Sequence, residues 1–103
     1  MSGYSFHPAA FGDLDHIWES IAENNIDAAD RVVAEIHEAI RDLANFPQQG
    51  HRRPDLTSRP LRFMTVRNYL IAYAPDEVPL LVIAIIDGRR NPRTVAMILR
   101  PRE

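Results

Sequence analysis

The sequence predicts an α+β domain in which a helical hairpin packs on a small, mainly antiparallel sheet, in the order β-α-α-β-β-β(-α). Three observations lead there. Between residues 8 and 46, apolar side chains recur three and four apart, the spacing of helices with one buried face. Between residues 61 and 86 lie three strand-like runs separated by turn residues. The chain has 103 residues, 46% of them hydrophobic and 25% charged, enough for one modest core and too few for two. Residues 1–103 are therefore expected to form a single domain.

Taken in order, Tyr4-Ser5-Phe6 alternates apolar and polar residues and reads as a short first strand. Pro8 suits the first turn of a helix, where its missing N–H costs nothing. In that helix Phe11, Leu14, Trp18 and Ile21, with Ile17 beside them, form the expected apolar stripe. Asp13 and Asp15 are expected early enough to interact with the helix dipole, and Asn24-Asn25 to end the helix. Asp27 is the expected N-cap of a second helix, with Asp30 in a partial capping-box role. Ala29, Val33, Ile36, Ile40 and Leu43 then form a regular seam that Pro47 stops. The short link at residues 24–27 makes the two helices an antiparallel hairpin, whose inner face needs a sheet to cover it.

Residues 48–60 are polar and broken by Gly50 and Pro54, so a loop is expected, carrying His51, Arg52, Arg53 and Arg59. Leu61 to Val66 alternates as a strand, Asn68 marks a tight turn, and Tyr69 to Tyr73 returns. Asp76 to Pro79 closes the next hairpin. Leu80 to Ile86 is apolar at every position, as in a central strand covered on both faces. Asn91 then caps a short last helix that begins at Pro92 and offers Val95, Ala96 and Leu99 as its apolar face.

The composition excludes several classes of chemistry. There is no cysteine, which removes disulfides, thiolate metal sites and cysteine nucleophiles. His7, His16, His37 and His51 share no metal-ligand spacing, so no metal is expected, and His16 and His37 read as surface residues. No Gly-rich phosphate loop is present, no cofactor is implied, and no serine stands in a nucleophile motif. Trp18, Tyr69 and Tyr73 read as packing residues. No apolar run approaches the length of a membrane span, and the N-terminal residues lack the pattern of a signal peptide. A cytoplasmic protein is expected.

The charge distribution is the more pointed signal. The formal net charge is −2, yet residues 1–46 hold nine acids and two arginines (net −7), and residues 47–103 ten arginines and five acids (net +5). Every basic residue is arginine, whose planar fork grips phosphate and carboxylate through two parallel hydrogen bonds. Arg67, Arg89, Arg90 and Arg93 fall at strand ends or just beyond them, with Arg100 further along. They are the candidate binding residues for an acidic partner. The competing expectation is a solvated rim whose ion pairs involve Asp87 or Glu103.

The segments Ala9-Ala10-Phe11-x-Asp13-Leu14-x-x-Ile17-Trp18, Leu43-x-x-Phe46-Pro47-x-x-Gly50, Val66-Arg67-x-Tyr69-Leu70-Ile71-x-Tyr73 and Ile83-x-x-Ile86-x-Gly88-Arg89-Arg90 together resemble the RelE/ParE superfamily of type II toxin–antitoxin toxins. The resemblance implies two alternatives. RelE-like members are ribosome-dependent mRNA endonucleases; ParE-like members bind DNA gyrase and have no known nuclease chemistry. Either kind is neutralised by a co-encoded antitoxin, with which it forms a hetero-oligomer.

Arg67 and Arg89 or Arg90 match positions where RelE-like nucleases carry charge-stabilising arginines. The nucleases also bring a tyrosine or histidine from the C-terminal segment and lysines from the loop before the second strand. Here that segment is Thr94-Val95-Ala96-Met97-Ile98-Leu99, and the loop offers Arg52 and Arg53, whose guanidiniums do not shuttle protons. His51 is the one acid–base candidate nearby. The resemblance therefore points to the ParE-like branch: no catalytic residue, a ParD-like ribbon-helix-helix antitoxin, and gyrase as target. A histidine and a tyrosine meeting those arginines around a phosphate-sized hollow would point the other way.

Overall fold

A computed structural model describes residues 3–102. Strand β1 (Tyr4–Phe6) leads into helices α1 (Pro8–Ala22) and α2 (Ile26–Asn45). After a single 3-10 turn at Pro47–Gln49 come β2 (Arg62–Val66), β3 (Tyr69–Ala74) and β4 (Leu80–Asp87), then α3 (Pro92–Leu99). This is the expected α+β order.

The four strands form one sheet in the order β1-β4-β3-β2; β1 runs parallel to β4, and the other neighbours are antiparallel. The helical hairpin carries the chain from β1 to β2 at the far edge of the sheet, and the antiparallel meander β2-β3-β4 then brings β4 back beside β1, parallel to it. The sheet divides the core into two layers. On one face Leu14, Ile17, Ile36, Ile40 and Leu43 of the hairpin pack against Ile71, Tyr73, Val82 and Ile85. On the other, Val95 and Leu99 of α3 join Leu56 and Leu61 over Phe63, Leu70, Ile83 and Ile86. β4 is buried on both faces, as its unbroken apolar run requires.

Several local expectations give way to tertiary packing. The second helix starts at Ile26, where Asn25 rather than Asp27 is the N-cap: its side chain accepts a hydrogen bond from the Ala28 N–H at 2.9 Å. Asp27 lies inside the first turn, where its charge faces the dipole. The buried stripe of α1 is Ala10, Leu14 and Ile17, rotated away from Phe11, which is 56% exposed. The ring of Phe11 packs against Phe6 instead, tilted by 50°, with centroids 4.9 Å apart. Trp18 is half-buried at the hairpin seam, and its indole N–H donates to Asp30 Oδ1 at 2.8 Å. His37 is half-buried as well, with Nδ1 3.2 Å from the Tyr4 hydroxyl. Asp13 lies beyond the first turn and leaves the dipole to the capping His7, whose Nδ1 accepts from Ala9 N–H.

The polar stretch before β2 is tied down more firmly than its composition suggests. Leu56 is buried, and His51 and Phe63 exchange two backbone hydrogen bonds of 2.9 and 2.8 Å. Tyr73 fastens the turn at its start: its hydroxyl donates to Pro47 O at 2.7 Å and accepts from Gly50 N–H at 2.9 Å. A Cβ on residue 50 would stand 2.5 Å from that oxygen, so the close approach demands glycine.

Candidate functional site

Arg67, Arg89 and Arg90 gather at one end of the sheet because two turns meet there. Arg67 and Asn68 form the two-residue connection between β2 and β3, in which Val66 pairs with Tyr69. Tyr69 in turn pairs with Asp87, the last residue of β4, so the segment bearing Arg89 and Arg90 leaves the sheet beside that turn. Gly88 N–H donates to Asn68 O at 2.7 Å and locks the two turns together. A Cβ at Gly88 would lie 3.2 Å from Asn68 O, a tighter approach than most side chains make. Antiparallel strands thus bring residues 67 and 89 to the same end.

Arg67 has φ 56°, in the left-handed region that a hairpin turn usually gives to glycine. Its guanidinium makes a two-armed contact with Glu35 of α2, at 3.1 Å from Nε and 2.6 Å from Nη2. Arg89 closes a similar fork on Asp87, at 3.0 and 2.8 Å. These partners hold both carboxyls below their ordinary range, through the guanidinium hydrogen bonds first. The same bonds raise the two guanidiniums, and Tyr69, within electrostatic reach of both, raises each slightly further. The expected rim pairing with Asp87 is therefore present. Arg90 and Arg93 are exposed and have no ion-pair partner among the described residues. Arg67, Arg89 and Arg90 share one end of the sheet, the first two neutralised and Arg90 free, and Arg93 follows on α3.

A second feature adjoins them. A hollow of about 380 Å³ opens between α1, the end of β4 and the C-terminal segment, and His16, Ser20, Tyr69, Arg90 and Arg102 are among its lining residues. Ile85, Ile86, Asp13 and Asp87 line it as well. Asp13 pairs with Arg102, at 2.5 and 3.0 Å, and also accepts from Ile85 N–H at 3.0 Å. The sequence marks His16 only as a surface residue and Arg102 not at all, since only the fold brings residues 13 and 102 together. His51 stays apart. It pairs with Phe63, four residues up β2 from Arg67, a separation of about 13 Å at ~3.3 Å per residue.

With this geometry in view, the comparison with known families is decisive. The family described as the ParE toxin of the type II toxin–antitoxin system parDE matches residues 4–92. The chain belongs to the ParE toxin family. The match spans all four strands and the helical hairpin, includes Arg67, Arg89 and Arg90, and ends at the first residue of α3. Comparison with curated proteins gave no match. Membership of the ParE family makes the chain the toxin of a type II pair, with a cognate antitoxin as partner. Among the described residues, no helix is long and apolar enough to cross a membrane.

Proposed function

We propose that this ParE-family toxin arrests growth by binding DNA gyrase through Arg67, Arg89 and Arg90 at the end of the sheet and Arg93 on α3, and that it breaks no bond itself. It acts in the cytoplasm, and a ParD-like antitoxin of the ribbon-helix-helix type neutralises it. The observation that carries this reading is the convergence of the β2–β3 turn and the segment after β4, with Arg90 unpaired there and Arg93 unpaired on α3. Free guanidiniums beside neutralised ones make a surface that attracts carboxylates without the cost of breaking existing ion pairs.

One observation favours a second reading, the ribosome-dependent mRNA endonuclease. His16, Tyr69, Arg90 and Arg102 line one hollow, and such residues can move protons and steady a phosphorane. Against it stands the pairing of Asp87 with Arg89, which leaves that guanidinium already engaged. Arg102 is already engaged by Asp13, and His16 is exposed, with no hydrogen-bonding group to orient it among the described residues.

Purified protein added in parallel to a gyrase supercoiling reaction and to a cell-free translation reaction separates the readings. Inhibited supercoiling with intact mRNA supports gyrase binding. Cut mRNA with untouched gyrase establishes the endonuclease instead.

A further inference from the structure

Strand β4 is only half covered on its β1 side. The parallel pairing with β1 runs from Leu80 to Val82 and stops at Phe6, where the chain turns into α1. The pairing with β3 skips Ile83, since Ala72 faces Ala84 and Tyr73 faces Val82. That bulge directs the carbonyls of two successive residues outward: Val82 O accepts from His7 N–H at 2.8 Å, and Ile83 O accepts from Arg102 Nη1 at 3.2 Å. Ile85 N–H then points out to Asp13. The Asp13–Arg102 pair thus stands in for a strand, one arm donating and one accepting. Beyond it the outward set continues by alternation to Ile85 O and Asp87 N–H, which face the hollow described above.

We propose that this edge of β4 is a docking strand for an extended acidic segment of the cognate antitoxin, which pairs with Ile85 O and Asp87 N–H and sets a carboxylate on Arg90. The inference rests on the toxin–antitoxin reading and adds where the partner sits. Exposed strand edges recruit extended peptides through main-chain hydrogen bonds, while side-chain pockets select the sequence. The unpaired Arg90 selects an acidic segment. The carboxylates of the hollow, Asp13 and Asp87, are held by Arg102 and Arg89, so the groups left to meet a ligand are Arg90 and His16. Ile17, Ile85 and Ile98 also line the hollow and offer an apolar side chain a place beside the acidic one.

The test uses the full chain, alone and co-expressed with the product of the reading frame next to its gene, with amide hydrogen exchange followed by NMR. In the free toxin, Ile85 is expected to be protected by Asp13, and Asp87 to exchange quickly. In the complex, Asp87 is expected to slow at least 100-fold. Arg90→Glu should weaken the complex at least tenfold, and Arg31→Glu on α2 should leave it unchanged. A complex in which Asp87 still exchanges quickly, or which tolerates Arg90→Glu, overturns the docking edge and leaves the toxin–antitoxin pairing standing. A neighbour product that does not bind at all overturns both. Protection of Asp87 in the free chain, rising with concentration as the mass doubles, assigns the edge to a second copy and overturns the proposal.

Discussion

The guanidinium of Arg67 grips Glu35 across 32 residues of sequence, joining the β2–β3 turn to the middle of α2. This contact ties the basic half of the chain to its acidic half. It also means that a strained arginine, in a backbone conformation normally left to glycine, is held in place rather than offered freely to a partner. Function should therefore depend more on the arginines beyond β4.

Arg89→Ala combined with Arg90→Ala is expected to cut toxicity at least tenfold while the fold persists, since both side chains are exposed and fill no core. Induced expression with growth curves, alongside circular dichroism of the purified variant, checks this. Arg67→Ala should cost less toxicity than the double variant. Full toxicity in the double variant removes the arginines from the mechanism.

The Tyr73 hydroxyl is a structural fastener rather than a catalytic one. Burial raises its pKa, so it stays a neutral donor to Pro47 O. Tyr73→Phe should cost ~1–3 kcal/mol, the usual range for leaving buried partners unsatisfied. Gly50→Ala should cost a similar ~1–3 kcal/mol through overpacking against the same oxygen and Phe63 O. Urea denaturation measures both, and a variant within experimental error of the parent would contradict the packing described.

Asp13→Ala should destabilise more than Arg102→Ala. The pair is largely buried, with side chains 17% and 14% exposed, and loss of Asp13 removes both the guanidinium's charge partner and the acceptor of Ile85 N–H. A cost of ~3 kcal/mol is expected for Asp13→Ala, at the lower end for breaking a buried pair. Loss of Arg102 leaves an aspartate that still accepts from Ile85 N–H. Arg102→Ala also frees Ile83 O, and equal costs in urea denaturation would contradict this ranking.

Stability should fall in mildly acidic solution because of His37. Burial first, then Arg41, holds its pKa below the ordinary value of 6.5. Between the folded and unfolded values the unfolded chain binds the extra proton, so stability rises with pH across that window. The contribution is full above about pH 6.5 and is lost as the pH falls through the folded value. His37→Phe should flatten the difference in urea midpoint between pH 7.5 and 5.5. An unchanged slope would place the pH dependence elsewhere.

Much of the architecture is legible in periodicity alone. The α2 seam and the unbroken apolar run of β4 are local signals, set by which side chains must leave water, so a helix and a central strand follow from spacing. The start of α2 was misplaced by a cap, because Asn25 and Asp27 offer the same oxygen chemistry and only backbone geometry chooses between them. The exposed Phe11 shows the same limit: a stripe read from residue type cannot tell which of two adjacent faces the sheet will cover.

The candidate site divides along the same line. By itself the sequence determined the residue chemistry: arginine as the only cation, segregated into the second half and placed at strand ends. Tertiary structure alone decided which arginines are free. Glu35 lies 32 residues from Arg67, and Asp13 lies 89 from Arg102, so their pairing depends on chain reversal through the hairpin and the sheet. Electrostatic attraction at these distances acts over a few ångströms, and only the folded packing sets distances that short between groups so far apart along the chain.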